Sequence, residues 1–588
     1  MLSWKNTNNP LWIYPKKDQS LRDSIIKEFK IHPVIAQILV NRGFSSLPDI
    51  HDYLYAKLPD LHDPFLMAEM PQAVERICKA LNEGENILIY GDNDVDGMTG
   101  TALLTEFLQY IGANVFFYVS TRTALRQRLI VEALEYAIKN NCKLLITVDC
   151  GITAAEEIAQ VVKQGVDVIV TDHHEPTDTI PHCVATLNPK LLNNPYPNRH
   201  LTGVGVAFKL AHAVINQLVA ENKISPKKVD LKRYLDLVAL GTISDMGALV
   251  GENRILVRYG LRQLRKTKRI GLLKLMTISD IDLNELSAFD VASKIAPRLN
   301  SLGRIDDPEK GVKLLLIRNV ILAEKMAIEL DLNNSERQKI ERLMTTEAEA
   351  IIAMQPEILT HKAIVLHSEK WHPGIIAILS ARISRHYNKP VIVIAVANGV
   401  GKGSLRSIPE FPLLPHLKEC SDILLNFGGH DFAAGLTVNE SNIEEFKQRF
   451  VQAADGCLSE NDVMSKLHLD SEVHFDELTF DFIESIRLLE PFGNGNYPPV
   501  LYCHAKQAWP PKVVGKTHLK FYLFEHINGE VNVSERMLEG IAFGRAAEST
   551  GLRKRNLSLE IAFTPEVNNF QGPSIQLMIR DFKPQVID

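Results

Sequence analysis

The chain has 588 residues, a formal net charge of −6, and 45% hydrophobic and 23% charged residues. That length predicts about three or four domains with sizeable cores, and the balance excludes a disordered or fibrous chain. The acidic excess excludes a nucleic-acid binder that works through overall basicity, though not one with a local basic lining.

The seven cysteines are scattered and form no C-x-x-C pair, so neither a zinc ribbon nor a disulfide framework is expected. No apolar stretch reaches the roughly 18 residues of a membrane span. The start, MLSWKNTNNPLWIYPKK, lacks the apolar centre of a secretory signal. The expectation is a reduced, cytoplasmic protein with no membrane contact.

The first 85 residues read as mostly helical, with SLRDSIIKEFK and HPVIAQILVNRG. From residue 86 strands and helices alternate: NILIYGD, TGTALLTEFLQYIGA, NVFFYV, RLIVEALEYAIKNN, KLLITVDCG, TAAEEIAQVVKQG and VDVIVTDHHEP. That order predicts a parallel sheet with helices on both faces, and ligands bind beyond the carboxyl ends of such strands. Residues 200–355 read as helix-rich. LDLNNSERQKIERLMTTEAEAIIAM is a charged amphipathic segment that suits a connecting helix, and equally an ordinary packed one. A second α/β unit follows, HKAIVLHSEKWHPGIIAILSARISRHYNKPVIVIAV, with a helix start near Pro373 and Gly374. Two glycine-rich pieces come next, GVGKGSLRS and NFGGHDFAAG. After about 460, short β-like runs predict a small barrel or sandwich.

The acidic residues gather at strand ends. Asp92, Asp94 and Asp96 follow NILIYG, Asp149 follows LLITV, and Asp172, His173 and His174 follow VDVIVT. Asp245, in VALGTISDMG, again follows an apolar stretch. Crowded carboxylates repel, so keeping them ionised calls for compensating cations or hydrogen bonds. Oxygen ligands with a few imidazoles suit Mg²⁺ or Mn²⁺, and a shared carboxylate suits ions about 3.5–4 Å apart. A polar turn explains any one of these pieces; three strands delivering charge to one sheet edge is what turns alone do not produce. On a strand end His173 and His174 should face opposite ways.

GDNDVDGMTGTALL, VDCG, VTDHH and GTISDM resemble the successive motifs of the DHH phosphoesterase superfamily. KIAPRLNSLGRIDDPEKGVKLLL, NNSERQKIE, WHPGIIAILSARI, GKGSLRSI, LLNFGGHDFAAGL and EPFGNGNYPP resemble the RecJ type of single-stranded-DNA exonuclease. The resemblance runs from about residue 30 to the C-terminus. It implies a 5′→3′ exonuclease for single-stranded DNA, dependent on two Mn²⁺ or Mg²⁺ ions, in recombination and repair. It also implies an α/β fold: a DHH domain with a helical extension and insert over residues 1–330, a connecting helix over 331–355, a DHH-associated (DHHA1) domain over 356–455, and an OB-like nucleic-acid-binding domain over 460–588.

Residue by residue, the resemblance makes Asp92, Asp94, Asp96, Asp149, His173 and Asp245 metal ligands, with Asp149 bridging. It makes His174 the contact to the scissile phosphate and Asp172 the group that holds His173. Arg122, Arg298, Arg304, Ser404, Arg406, Gly428, Gly429 and His430 are the candidate phosphate contacts, with FGGHDFAAG as a backbone cradle. KVVGKTHLKFYLF mixes lysine with aromatic residues, a pattern suited to single strands. The chain departs from the family at Asn93, at Val95, and over YVSTRTALRQRLIVEAL (118–134), where a glycine turn is replaced. Partners implied are single-stranded DNA, a helicase and a single-strand binding protein, for a monomeric enzyme. The alternatives are hydrolysis of very short oligonucleotides or cyclic dinucleotides, and a DNA-binding scaffold without catalysis.

Overall fold

A computed structural model describes residues 10–16, 18–120, 126–225, 229–525, 536–570 and 572–585, with the side chains of 126–131 left aside. The chain divides into two compact units. One holds Tyr55–Lys339 and Pro491–Tyr497; the other holds Met1–Leu54, Ile340–Glu490 and Pro498–Asp588.

The first unit is built on a five-stranded sheet. Asn114–Val119, Asn86–Gly91, Cys142–Val148, Asp167–Thr171 and Ala185–Leu187 lie in that order, all parallel. Alternate residues of the central strands feed separate cores. Ile87, Ile89, Leu144, Ile146 and Val148 pack with the helices Val95–Tyr110 and Gly203–Ala220. Leu88, Tyr90, Leu145, Val168 and Val170 pack with Arg126–Lys139 and Ala155–Lys163. Covered on both faces, these strands read as continuous apolar runs rather than alternating ones.

Gly203–Ala220 has the length and hydropathy of a membrane span, against the expectation from sequence. Its most apolar window is 72% buried inside the protein. Its Lys209, wholly buried, pairs with Glu252 at 2.6 Å. A paired cation of that kind belongs to a polar-crossed protein core, where its desolvation is offset by a partner.

The expected connecting helix is longer than its sequence limits of 331–355. Val320–Met354 is one 35-residue helix, and the division between the units falls within it, between Lys339 and Ile340. It starts early because Asn319 accepts the Leu322 N–H at 3.0 Å, a helix cap that the charged-segment pattern did not register.

In the second unit, Ile364–Ser368 runs parallel to Val391–Ala397 through the crossover helix Ile376–Tyr387. Val400–Arg406, Ala433–Asn439 and Leu424–His430 extend that sheet antiparallel. The C-terminal strands close on themselves. Leu501–Gln507 pairs with both Ser558–Asn568 and His518–Glu525, which continues to Leu538–Ala542; that strand runs parallel to Ser574–Pro584, which returns to Ser558–Asn568. This is a five-stranded barrel. Along His518–Glu525 the residues Leu519, Phe521 and Leu523 point inward, while His518, Lys520, Tyr522 and Phe524 lie on the other face. An N-terminal strand, Leu11–Ile13, pairs with Lys466–His468, and the buried Trp12 donates to Asp581 at 2.7 Å.

Candidate metal centre

Strand ends and helix ends of the first unit converge on one cluster. Asp94 caps the helix Val95–Tyr110, its Oδ1 accepting the N–H groups of Asp96 and Gly97 at 3.0 and 3.1 Å. Asp92 accepts from the Ser120 hydroxyl at 3.1 Å. Asp96, in the first turn, is buried and reaches across to another helix start. Its two oxygens accept the N–H groups of Gly203 and Val204 at 2.6 and 2.9 Å. Those donors are unused at a helix N-terminus and favour an anion there. Gly203 is required: a Cβ would sit 2.5 Å from the Asp149 Cβ.

Asp149 is buried and held at φ 62°, the left-handed region that Asp tolerates better than most side chains. Its Oδ1 accepts no hydrogen bond among the described residues, although His173 Nε2 lies 3.0 Å away. His173 Nε2 is also 3.8 Å from Asp96 Oδ2 and 3.6 Å from Asp245 Oδ2. Asp245 caps the C-terminal end of the helix Leu235–Ser244. Three overlapping triads result: Asp92, Asp94 and Asp149; Asp96, His173 and Asp245; and Asp149, His173 and His174. Within each, one ligand atom per residue lies within 4.8 Å of the others.

The electrostatics match that crowding. Burial first, and then the neighbouring carboxylates, push Asp149 and Asp245 well above the usual carboxylate range. Burial and Asp94 raise Asp92, and burial and Asp94 push Asp96 up to about 7 despite its two N–H donors. A buried acceptor with no donor, among carboxylates that resist ionisation together, fits hard divalent cations and their oxygen-and-imidazole preference.

The six residues read as ligands are thus brought together. Two other expectations change. Asp172 does not hold the His173 ring: its Oδ1 lies 2.7 Å from His174 Nδ1 and accepts the N–H groups of His173 and His174 at 2.7 and 3.0 Å. The two imidazoles do not face opposite ways either. The strand ends at Thr171, so pleat alternation no longer applies, and the rings sit 4.6 Å apart. Burial would raise Asp172, but His174 and the N–H groups around it bring it down to about 2. Burial would lower His174, but Asp172, then Asp92 and Asp245, push it up to about 9.

The expected phosphate contacts divide. Arg122 lies outside the described residues. Arg298 is committed elsewhere: Nε and Nη2 reach Asp331 at 2.9 and 2.8 Å, and Nη1 donates to the Lys294 carbonyl at 2.7 Å. Arg304 lies in the helix Ala296–Ile305, half-buried. FGGHDFAAG is not a loop cradle but two paired strands, with Gly429 at φ 139°. Register aligns Gly428, Gly435 and Ser404 in one row, and His430, Ala433 and Arg406 in another. Those rows are two residues apart, so Ser404, Arg406, Gly428 and His430 share one face of that sheet.

Sequence reasoning missed several supports of the cluster: Ser120, the N–H pair of Gly203 and Val204, and Asn300, whose Oδ1 accepts the Val95 N–H at 3.2 Å. The glycine opening TGVGVAFKL was the available signal for a close approach at that helix start.

Three family models match this chain: the DHH family N-terminal domain over residues 86–242, the DHHA1 domain over 360–460 and the RecJ OB domain over 469–581. A single-stranded-DNA-specific exonuclease RecJ from Bacillus subtilis is 35% identical over 97% of this chain and 70% of its own length. The protein of the same name from Salmonella typhimurium is 34% identical over 94% of this chain and 96% of its own. Among solved structures, RecJ from Thermus thermophilus in complex with Mn²⁺ superposes with a TM-score of 0.80 at 28% identity, covering 98% of this chain and 80% of that one. The same protein with Mg²⁺ gives 0.75 at 26% identity, covering 98% and 79%. With strand-end carboxylates, a DHHA1 sheet and a closed barrel in one chain, and this identity over nearly all of it, the chain belongs to the RecJ family.

Proposed function

We propose that this chain is a single-stranded-DNA-specific exonuclease that hydrolyses phosphodiester bonds from the 5′ end, in DNA recombination and repair. The observation that carries the reading is the set of three interlocking triads around Asp149 and His173. In this reading Asp92, Asp94 and Asp149 hold one Mn²⁺ or Mg²⁺ ion, and Asp96, His173 and Asp245 hold a second. The pair of ions supplies an acidified water at neutral pH and Lewis-acid neutralisation of phosphate charge.

The chain's own groups do the rest. Asp149, facing both triads, fixes the spacing of the site. Asp96 is held by the Gly203 and Val204 N–H groups, so its carboxylate cannot swing away. Asp172 fixes His174 with Nδ1 toward itself, which leaves Nε2 for a phosphate oxygen or the departing oxygen. The His174 side chain is 40% exposed, so substrate can reach it. In the first unit Arg304 is the candidate for a phosphate contact, Arg298 being removed by its pairing to Asp331; in the second unit the candidates are Ser404, Arg406, Gly428, Gly429 and His430. The barrel carries the following nucleotides. In this reading the protein acts as a cytoplasmic monomer and cooperates with a helicase and a single-strand binding protein.

The test is purified protein with Mn²⁺ or Mg²⁺ and 5′- or 3′-labelled single strands, a blunt duplex and a dinucleotide. Release of the 5′ label first, from the single strand only, is expected. A ladder that begins at the 3′ end would refute the polarity. Turnover of the dinucleotide alone would move the assignment to short-oligonucleotide hydrolysis.

A further inference from the structure

The segment Pro491–Tyr497 packs with the first unit, although the chain on either side of it belongs to the second. It docks on the turn that follows Asp245. Asn494 takes both ends of that turn: its Nδ2 donates to the Met246 carbonyl at 2.7 Å, and its own carbonyl accepts the Leu249 N–H at 2.8 Å. The approach is close. A Cβ on Gly493 would meet Leu249 Cδ1 at 2.7 Å, and Gly495 turns at φ 71° beside Ala248. Inside the segment, the buried Asn496 donates to the Pro491 carbonyl at 2.7 Å, and Gly493 and Asn496 exchange backbone hydrogen bonds at 2.9 and 3.1 Å. The Tyr497 hydroxyl donates to Asn494 Oδ1 at 3.0 Å, which aims the amide nitrogen at Met246.

The turn is held on one side by its own helix, the Gly247 N–H donating to the Thr242 carbonyl at 3.0 Å, and by Asn253 Nδ2, which donates to the Ala248 carbonyl at 3.1 Å; Asn494 holds the other side. Met246 is a β-unbranched residue at φ 57°, directly after a helix end, and is 70% exposed. Such a conformation is strained for a residue with a Cβ and persists where its surroundings over-determine it. Asp245 is the residue before it, and its carboxylate reaches His173. If the turn relaxes, Asp245 leaves the triad it shares with Asp96 and His173.

We propose that Asn494 is a positioning residue for the metal centre: from 248 residues along the chain it clamps the Met246–Leu249 turn and so sets the reach of Asp245 to one of the two ions. The inference rests on the two-ion reading above. It gives EPFGNGNYPP a task separate from the barrel that begins at Leu501.

Mn²⁺ binding to the full-length protein tests it, followed by calorimetry with no DNA present, alongside thermal unfolding in chelator. Wild type is expected to bind two ions; binding of none would remove both the two-ion reading and this inference. In Asn494→Ala and Asn494→Asp, one binding step is expected to weaken about tenfold, in the range seen when groups that orient metal ligands are removed. The other step should stay within twofold. Asn494→Asp is the sharper variant, since it keeps the shape but places an acceptor against the Met246 carbonyl; a packing role alone would leave its Mn²⁺ binding normal. Should both fail to fold, Tyr497→Phe removes the hydroxyl that orients the Asn494 amide and is expected to weaken the same step and not the other. Two unchanged binding steps in folded variants, or equal weakening of both, would overturn the clamp.

Discussion

His174 Nδ1 and Asp172 Oδ1 lie 2.7 Å apart, and the same oxygen gathers the backbone N–H groups of His173 and His174. One carboxylate therefore fixes both the ring and the peptide that presents His173. With its Nδ1–H directed at Asp172, the His174 ring is held in one orientation, and although burial would lower it, the attraction of Asp172 holds it near 9. At neutral pH, without metal, it presents a positive charge suited to a phosphate.

Asp172→Asn should therefore impair turnover rather than metal binding. The amide oxygen can still accept the backbone N–H groups, but it offers His174 no negative partner. Turnover at saturating Mn²⁺ is expected to fall roughly a hundredfold, the usual contribution of a positioned proton donor or acceptor. His174→Ala should do the same, and the double variant should be no worse than either, because the two act as a unit. An additive double variant would separate their roles.

Asp149→Asn should abolish hydrolysis while strengthening the metal-free fold. Asparagine tolerates the left-handed φ of 62° that alanine would strain. It removes the carboxylate facing both triads and, with it, the burial and like-charge repulsion that raise this group, so the metal-free protein should melt higher. Activity assays in Mn²⁺ and thermal unfolding in chelator check the two halves. Near-normal turnover would remove Asp149 from the bridge.

Metal binding should release protons and tighten as pH rises. Asp96 is pushed up to about 7, and Asp92, Asp149 and Asp245 are raised as well, so the metal-free site holds protons that cations must displace. The sign for stability is the opposite. A carboxylate raised in the folded state stabilises the fold below its unfolded value near 3.8, and that contribution is lost as pH climbs through about 7. The metal-free protein should thus lose stability between those limits, and Mn²⁺ should restore it. Melting curves across that range, with chelator and with Mn²⁺, decide it; a metal-free protein that gains stability over the same interval would contradict the burial of these charges.

Short-range pattern carried much of this architecture. The apolar runs at Ile87–Tyr90 and Leu144–Val148 are buried on both faces, and such strands advertise a parallel sheet and hence a ligand edge. The candidate ligands stood out because like charges follow those runs directly. What local pattern could not reach are contacts between distant segments. Asp96 meets Gly203 across 107 positions, and Asn494 meets Met246 across 248. Barrel closure was equally hidden: it depends on the parallel pairing of Leu538–Ala542 with Ser574–Pro584, while each strand alone suits a sandwich as well. His173 and His174 misled because the pleat rule was applied just past the strand's last residue.

The outer barrel face should bind strands through stacking and charge. The Tyr522 ring lies under both Lys512 and Lys520, at 5.7 and 5.4 Å, and packs edge-on against Trp509 at 5.7 Å. Trp509 is 44% exposed, so an aromatic face remains for a base. Lys520 is partly spent on Glu539 at 2.9 Å, which leaves Lys512 the stronger candidate for a phosphate. Trp509→Ala should weaken binding of a long single strand by about 1–3 kcal/mol, the range for one stacked base, or roughly 5- to 150-fold. Lys512→Ala should weaken it less at high salt than at low, and should reduce the slope of log affinity against log salt by about 0.7. Neither change touches the residues around Asp149, so turnover of a very short substrate should hold. Point variants are the right tool, because deleting residues 460–588 would also remove Asn494 and the strand that pairs with Leu11–Ile13. Affinity titrations at two salt concentrations, set beside short-substrate turnover, make the comparison. If folded Trp509→Ala and Lys512→Ala bind long strands as wild type does, this face is not the DNA track, and its aromatic and lysine pattern is that of an exposed strand.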